Sequence, residues 1–168
     1  MSHLINIEFA KKNGYMNTNV RDSVLSTILT RVQDLKLRPI LGTSFFNRLI
    51  EGVTLNNLNE FEIALLNDYI AKYLISAIDY KAVLHLHTEI RAKTVGHLND
   101  TSIQSADEKG LLKLEDSIRK ETEQYKILMI GHLRDNALLF PTYNEYLCSF
   151  ENVSPQKDQS TKPNIFFR

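Results

Sequence analysis

A chain of 168 residues suits one domain and can bury a core without help from disulfides or structural metals. Lys plus Arg and Asp plus Glu number 20 each, so the formal charge is zero and nothing drives the chain as a whole toward nucleic acid or an anionic membrane. The single cysteine, Cys148, excludes an internal disulfide and a cysteine-built zinc site, and a reducing compartment is the simplest setting. The N-terminus holds no apolar stretch long enough for a signal peptide, and no run approaches a transmembrane span. The expectation is a protein made and used on the cytosolic side.

Residues 1–18 mix Leu4, Ile5, Ile7 and Phe9 with Asn and Gly, and read as an arm lying on something rather than as a stable element. Thr18 or Asn19 can cap a first helix. Its apolar stripe runs through Val20, Val24, Leu25, Ile28, Leu29, Val32 and Leu35 and ends near Leu37. Pro39 breaks the helix, since it cannot sit in a helix interior and biases Arg38 out of one. Thr43 then opens a short second helix with Phe45, Phe46, Leu49 and Ile50, which Gly52 is placed to end.

A third helix begins after Asn59, with Glu60 in its first turn, and runs to about Leu86. From Ile70 onward it is apolar on most faces, as expected of a central helix buried all round. Residues 87–104 alternate weakly, hold β-branched residues and contain Gly96, and read as an inserted short β-hairpin or loop. Ser105-Ala106-Asp107-Glu108 is a capping box that opens a second long helix. That helix carries Leu111, Leu114, Ile118, Thr122, Tyr125, Met129 and His132 on one stripe and ends near Asn136. Its outer face pairs Glu115 with Arg119 and Asp116 with Lys120.

Residues 150–168 are polar and aperiodic, cannot fold alone, and end in Ile165-Phe166-Phe167. A polar tether with an apolar tip suits docking on a neighbour, with Pro163, Ile165, Phe166 and Phe167 as the contacts; the plain alternative is a frayed terminus. The expected class is all-α: a small helical bundle with two long helices, a helical domain over 19–149, an insertion near 87–104, and N- and C-terminal arms over 1–18 and 150–168.

Chemistry is sparse. No nucleotide-binding glycine motif, nucleophile elbow or HExxH is present. His85, His87 and Glu89 would share one face only on a strand, whereas a helix separates the two histidines by about 200°. His132, on an apolar stripe, reads as a hydrogen-bonded core or interface histidine. Asp79, between Ile78 and Tyr80 in an apolar stretch, needs a partner, most simply in an interhelical or inter-subunit ion pair. No cofactor, metal or catalytic residue is expected. Arg91 and Lys93 are basic residues outside the expected helices, and would line a pore for a polyanion if the chain formed a ring.

The order of elements resembles a known family. After the first helix come Gln33-Asp34-Leu35-Lys36-Leu37-Arg38-Pro39-Ile40-Leu41-Gly42-Thr43 and then Phe45-Phe46-Asn47-Arg48-Leu49. A long helix through Asp68-Tyr69-Ile70 follows, then a polar insertion, Gln104-Ser105-Ala106-Asp107, a second long helix and Phe140-Pro141-Thr142-Tyr143. Over roughly residues 5–150 this is similar to the neck adaptor proteins of tailed phages, of the kind found in crAss-like and other Bacteroidetes phages, with Leu37 to Leu49 the most specific stretch. The resemblance implies a virion protein, a head–tail connector whose copies, about twelve, close into a ring. The ring would bind the portal protein and other neck or tail proteins, with DNA passing through the channel unread and no membrane involved. The C-terminal arm would reach a neighbouring subunit or the portal. The competing reading is a small helical regulatory or nucleic-acid-associated module, and an enzyme is a third.

Overall fold

The computed structural model describes residues 3–15, 20–94 and 101–144, with the backbone alone for 86–94, 101–109 and 111. The described residues are mostly helical and contain no strand. Within the segment expected to be an arm, residues 3–15 are described and include a short helix. Helix α1 (Ile7–Asn13) is capped by Asn6, whose side chain accepts the Phe9 backbone N–H at 2.6 Å. Leu4, Ile5 and Ala10 are buried in the chain's own core, and the Leu4 backbone N–H donates to the buried Gln33 side chain at 2.8 Å. Helix α1 is too short to stand alone, so the anchored contacts before it and its apolar face hold it.

Helix α2 (Asp22–Val32) starts with Arg21 at the cap position and no side-chain cap; Thr18 and Asn19 lie outside the described residues. Leu25, Leu29 and Val32 are its buried stripe. The chain does not leave the helix at Pro39. It passes through one wide π-turn, Gln33–Leu37, into the short helix α3 (Arg38–Leu41). In that wide turn the Arg38 backbone N–H reaches back five residues to the Gln33 carbonyl. The wider turn makes room for a ring that would otherwise press on the carbonyl four residues back, and Pro39 has no N–H to leave unpaired. The same turn shifts the phase of the stripe: Leu37 is fully buried while Leu35, expected in the core, is 70% exposed.

Gly42 ends α3 at φ 77°, and helix α4 (Thr43–Leu55) begins at the next residue. The positive φ suits glycine and lets the chain turn between two helices without a loop. Gly52 does not end α4, which runs on to a left-handed Asn56 at φ 53°. Gly52 instead gives space: a Cβ there would lie 2.2 Å from Leu58 Cδ2.

Asn59 caps helix α5 (Glu60–Leu65) with a complete capping box: its side chain accepts the Glu62 N–H at 2.8 Å, and Glu62 accepts the Asn59 N–H at 2.9 Å. A second wide turn, Leu66–Ile70, joins α5 to helix α6 (Ala71–Thr94), so the chain stays helical from 60 to 94, about 50 Å. Ile70, Ala71, Tyr73, Leu74, Ala77, Ile78, Ala82 and Val83 are all buried, which makes this the central helix, as its all-round apolar sequence implied.

The expected hairpin over 87–104 is absent where the backbone is described. Residues 87–94 continue α6 and 101–104 already belong to helix α7 (Thr101–Asp135); residues 95–100 lie outside the description. Extending a formed helix costs far less than starting a new element, and a lone two-stranded hairpin is marginal in water. The box at Ser105 therefore lies inside α7 rather than at its start.

Helices α6 and α7 run antiparallel: Ser76 and Thr122 hydroxyls bond at 2.9 Å in the buried interface, and Tyr69 stacks on His132 with ring centres 4.1 Å apart. Ile118, Thr122, Met129 and Leu133 form the buried face of α7, while Leu114 from the expected stripe is exposed. On the outer face Asp116 takes both neighbours, Arg119 and Lys120, each at 2.6 Å, in place of the expected Glu115–Arg119 pair. Hydrogen bonds donated by Lys120 and Arg119, with their charges adding less, hold the Asp116 carboxyl below its usual value. Past a 3₁₀ turn at Ala137–Leu139, Phe140 and Tyr143 close the bundle on Phe45, with centroids 5.5 and 5.9 Å from its ring.

Candidate interaction surface

A groove of about 670 Å³ lies between α2 and α6. Its floor follows from the α2 stripe. Leu25 and Leu29 point into the core, so Val24 and Ile28, one position back on the helix, are left half-covered at its edge. Val32 and the outward Leu35 extend this floor toward the wide turn. Three cations stand on the rim: Arg31 and Lys36 from the α2 side and Lys81 from α6, with His85 one turn beyond Lys81. No carboxylate lines the groove among the described residues. Among the described residues, none of Arg31, Lys36 and Lys81 forms an ion pair, although Lys81 lies 5.4 Å from the centre of the Tyr80 ring.

A smaller cleft surrounds Asp79, which is 3% exposed and accepts the Tyr15 backbone N–H at 2.9 Å. The Tyr15 amide is thus one of the groups that satisfy this buried carboxylate, for which the sequence called for a partner. Gly14 is required beside it, because a Cβ there would fall 2.8 Å from Asp79 Oδ1. Asp79 thus ties the end of α1 to the central helix. Elsewhere on α6, burial raises the Tyr73 hydroxyl to about 12, so it stays protonated.

The other sequence candidates are distributed as follows. His85 lies on the groove, and positions 87 and 89 follow on the helical backbone of α6, which denies the three the common face that a strand would give. Among the described residues no group of His, Cys, Asp and Glu is arranged to hold a metal. His132 is a packed core-edge histidine, stacked on Tyr69 with its Nδ1 3.3 Å from the Asn136 side chain. Arg91 and Lys93 lie on the α6 helix rather than on a hairpin, and their side chains are outside the description. Cys148, Pro163, Ile165, Phe166 and Phe167 also lie outside it. No described helix is long and apolar enough to cross a membrane.

The groove itself was not foreseen. Its signal was a row of cations, Arg31, Lys36 and Lys81, beside apolar positions, which reads in one dimension as ordinary solvated helix surface. Apolar exposure elsewhere is also high for so small a chain: Leu55, Phe61, Ile127, Leu128 and Leu138 are all more than half exposed. Scattered exposed leucines are ordinary, but an apolar groove with a charged rim marks a contact surface.

These features define an all-α bundle with an open helix–helix groove and, among the described residues, no group arranged to hold a metal. Residues 37–149 match DUF6712, a family of unknown function, and the chain belongs to that family. No curated protein and no solved structure matches it.

Proposed function

We propose that the protein is a structural assembly subunit, working by contact with copies of itself and with other proteins rather than by catalysis. On the resemblance carried by Leu37 to Leu49 and by the order of the helices, the assembly is the connector ring in the neck of a tailed-phage virion, between portal and tail. The observation that supports assembly best is the α2–α6 groove, an apolar floor with Leu35 70% exposed beneath three cations that have no ion partner among the described residues. A surface of that kind is completed by another chain. In this reading DNA passes through the ring past Arg91 and Lys93, and the arm of 150–168 docks through Pro163, Ile165, Phe166 and Phe167 on a neighbour or on the portal.

The test is to mix the purified protein with the portal ring of the same phage and image the mixture by electron microscopy. An added tier of density on the portal, weakened or lost on deletion of residues 150–168, is the expected result. A protein that binds no portal in any ratio overturns the neck assignment. The cationic rim also suits phosphate groups, which favours a nucleic-acid-associated module as second reading. Strong, salt-sensitive DNA binding by the isolated monomer would select it.

A further inference from the structure

The structure carries a second surface of opposite character. The exposed arc of α5 and of the wide turn that follows it includes Glu60 and Asp68, flanked by Phe61 at 52% and Ile63 at 45% exposure. Glu60 and Asp68 have no ion partner among the described residues. This edge is acidic and apolar, where the groove is basic and apolar. Both lie on the same continuous helical rod. Phe61 precedes Lys81 by twenty residues, about 30 Å along the axis, so one chain cannot fold its own edge into its own groove.

Resting on the reading of the protein as an assembling subunit, we propose that the α5 edge of one copy docks in the α2–α6 groove of the next. Glu60 and Asp68 then face Arg31, Lys36 and Lys81, and Phe61, on the same side as Asp68, covers Leu35, Val24 and Ile28. A trough between two helices accepts the side-chain ridge of a third. The two surfaces differ, so the contact is head-to-tail: each copy keeps a free edge and a free groove, and the series ends only by closing into a ring. Opposite charges on the two faces set the register and oppose groove-to-groove or edge-to-edge pairing.

The experiment uses sedimentation velocity on the full chain and two double variants, Arg31→Glu with Lys81→Glu and Glu60→Lys with Asp68→Lys. All four side chains are exposed, and matching thermal melts establish that the variants fold. The wild type associates with rising concentration, more weakly in high salt. Each variant alone presents like charges on both faces and loses self-affinity by about tenfold or more. Mixed in equal amounts the two variants regain wild-type association, because each groove again meets an edge of opposite sign.

Variants that associate like the wild type overturn the contact while leaving an assembly role intact, as does loss of association only on deleting residues 150–168, which would assign the groove to the tail. A wild type that is monomeric at every soluble concentration also overturns the contact, and the portal experiment then decides the assembly role separately.

Discussion

Two cationic sites on the molecule stand in contrast. At the α4–α5 corner Arg48 is engaged within the chain: its guanidinium donates to Glu62 at 2.8 Å and to the side chain and backbone oxygens of Asn57 at 2.9 Å each. Glu62 in turn is 4% exposed and completes the capping box. In the α2–α6 groove, Arg31, Lys36 and Lys81 overlie an apolar floor with no carboxylate on the lining among the described residues. The same residue type is thus used in two ways. Where the charge is paired within the chain, it fixes a fold feature. Where charges stand beside apolar surface without an ion partner among the described residues, the proposed contact between copies would supply the matching groups.

Substitutions can break this contrast at either site. The largest expected effect is beneath the corner, where Phe45 is 1% exposed and packs on Phe140 and Tyr143. Phe45→Ala is expected to cost about 3–5 kcal/mol in urea unfolding. Next is Glu62→Ala, which removes both a largely buried carboxylate and half of the capping box. A loss of about 2–3 kcal/mol is expected, and a loss under about 0.5 kcal/mol would show that the corner contributes no more than an ordinary surface pair.

Leu35→Ser should do the reverse: stability within about 0.5 kcal/mol of wild type, with self-association weakened in sedimentation. A clear loss of stability there would place Leu35 in the fold rather than in a contact. The smallest effect is a pH dependence. Burial lowers the pKa of His3, which lies 3.0 Å from the Thr30 hydroxyl on α2. The unfolded chain takes up this proton first, so the contribution of His3 is complete above its ordinary value of 6.5 and is lost as pH falls through the lower folded value. Thermal melts should show this slope, and His3→Gln should flatten it.

The sequence makes the long apolar helix and the cap at Asn59 legible because each is a local signal: apolar residues on all faces from Ile70, and an Asn followed three residues later by Glu62. It misleads where a single residue changes the phase. Leu35 fits a 3.6-residue stripe, and only the wide turn at Gln33–Leu37 turns it outward and brings Leu37 in. Pro39 and Gly52 read as breakers because their local meaning is to break, yet one rides on the wide turn and the other leaves room for Leu58. The weak alternation after His87 carries no weight against a helix already formed through it. The groove is illegible for another reason: it is made by two helices distant in sequence, and neither half is unusual alone.

The wide turn before Pro39 also fixes a length. A π-turn is what an α-helix becomes when it absorbs one extra residue, so the chain between Val32 and Arg38 is one residue longer than a regular helix needs. Remove that residue and the turn tightens, the pyrrolidine ring closes on the carbonyl four positions back, and the helix must kink or stop. Insertion and proline are therefore a matched pair, and a family member one residue shorter here is expected to carry something other than proline at the position of Pro39.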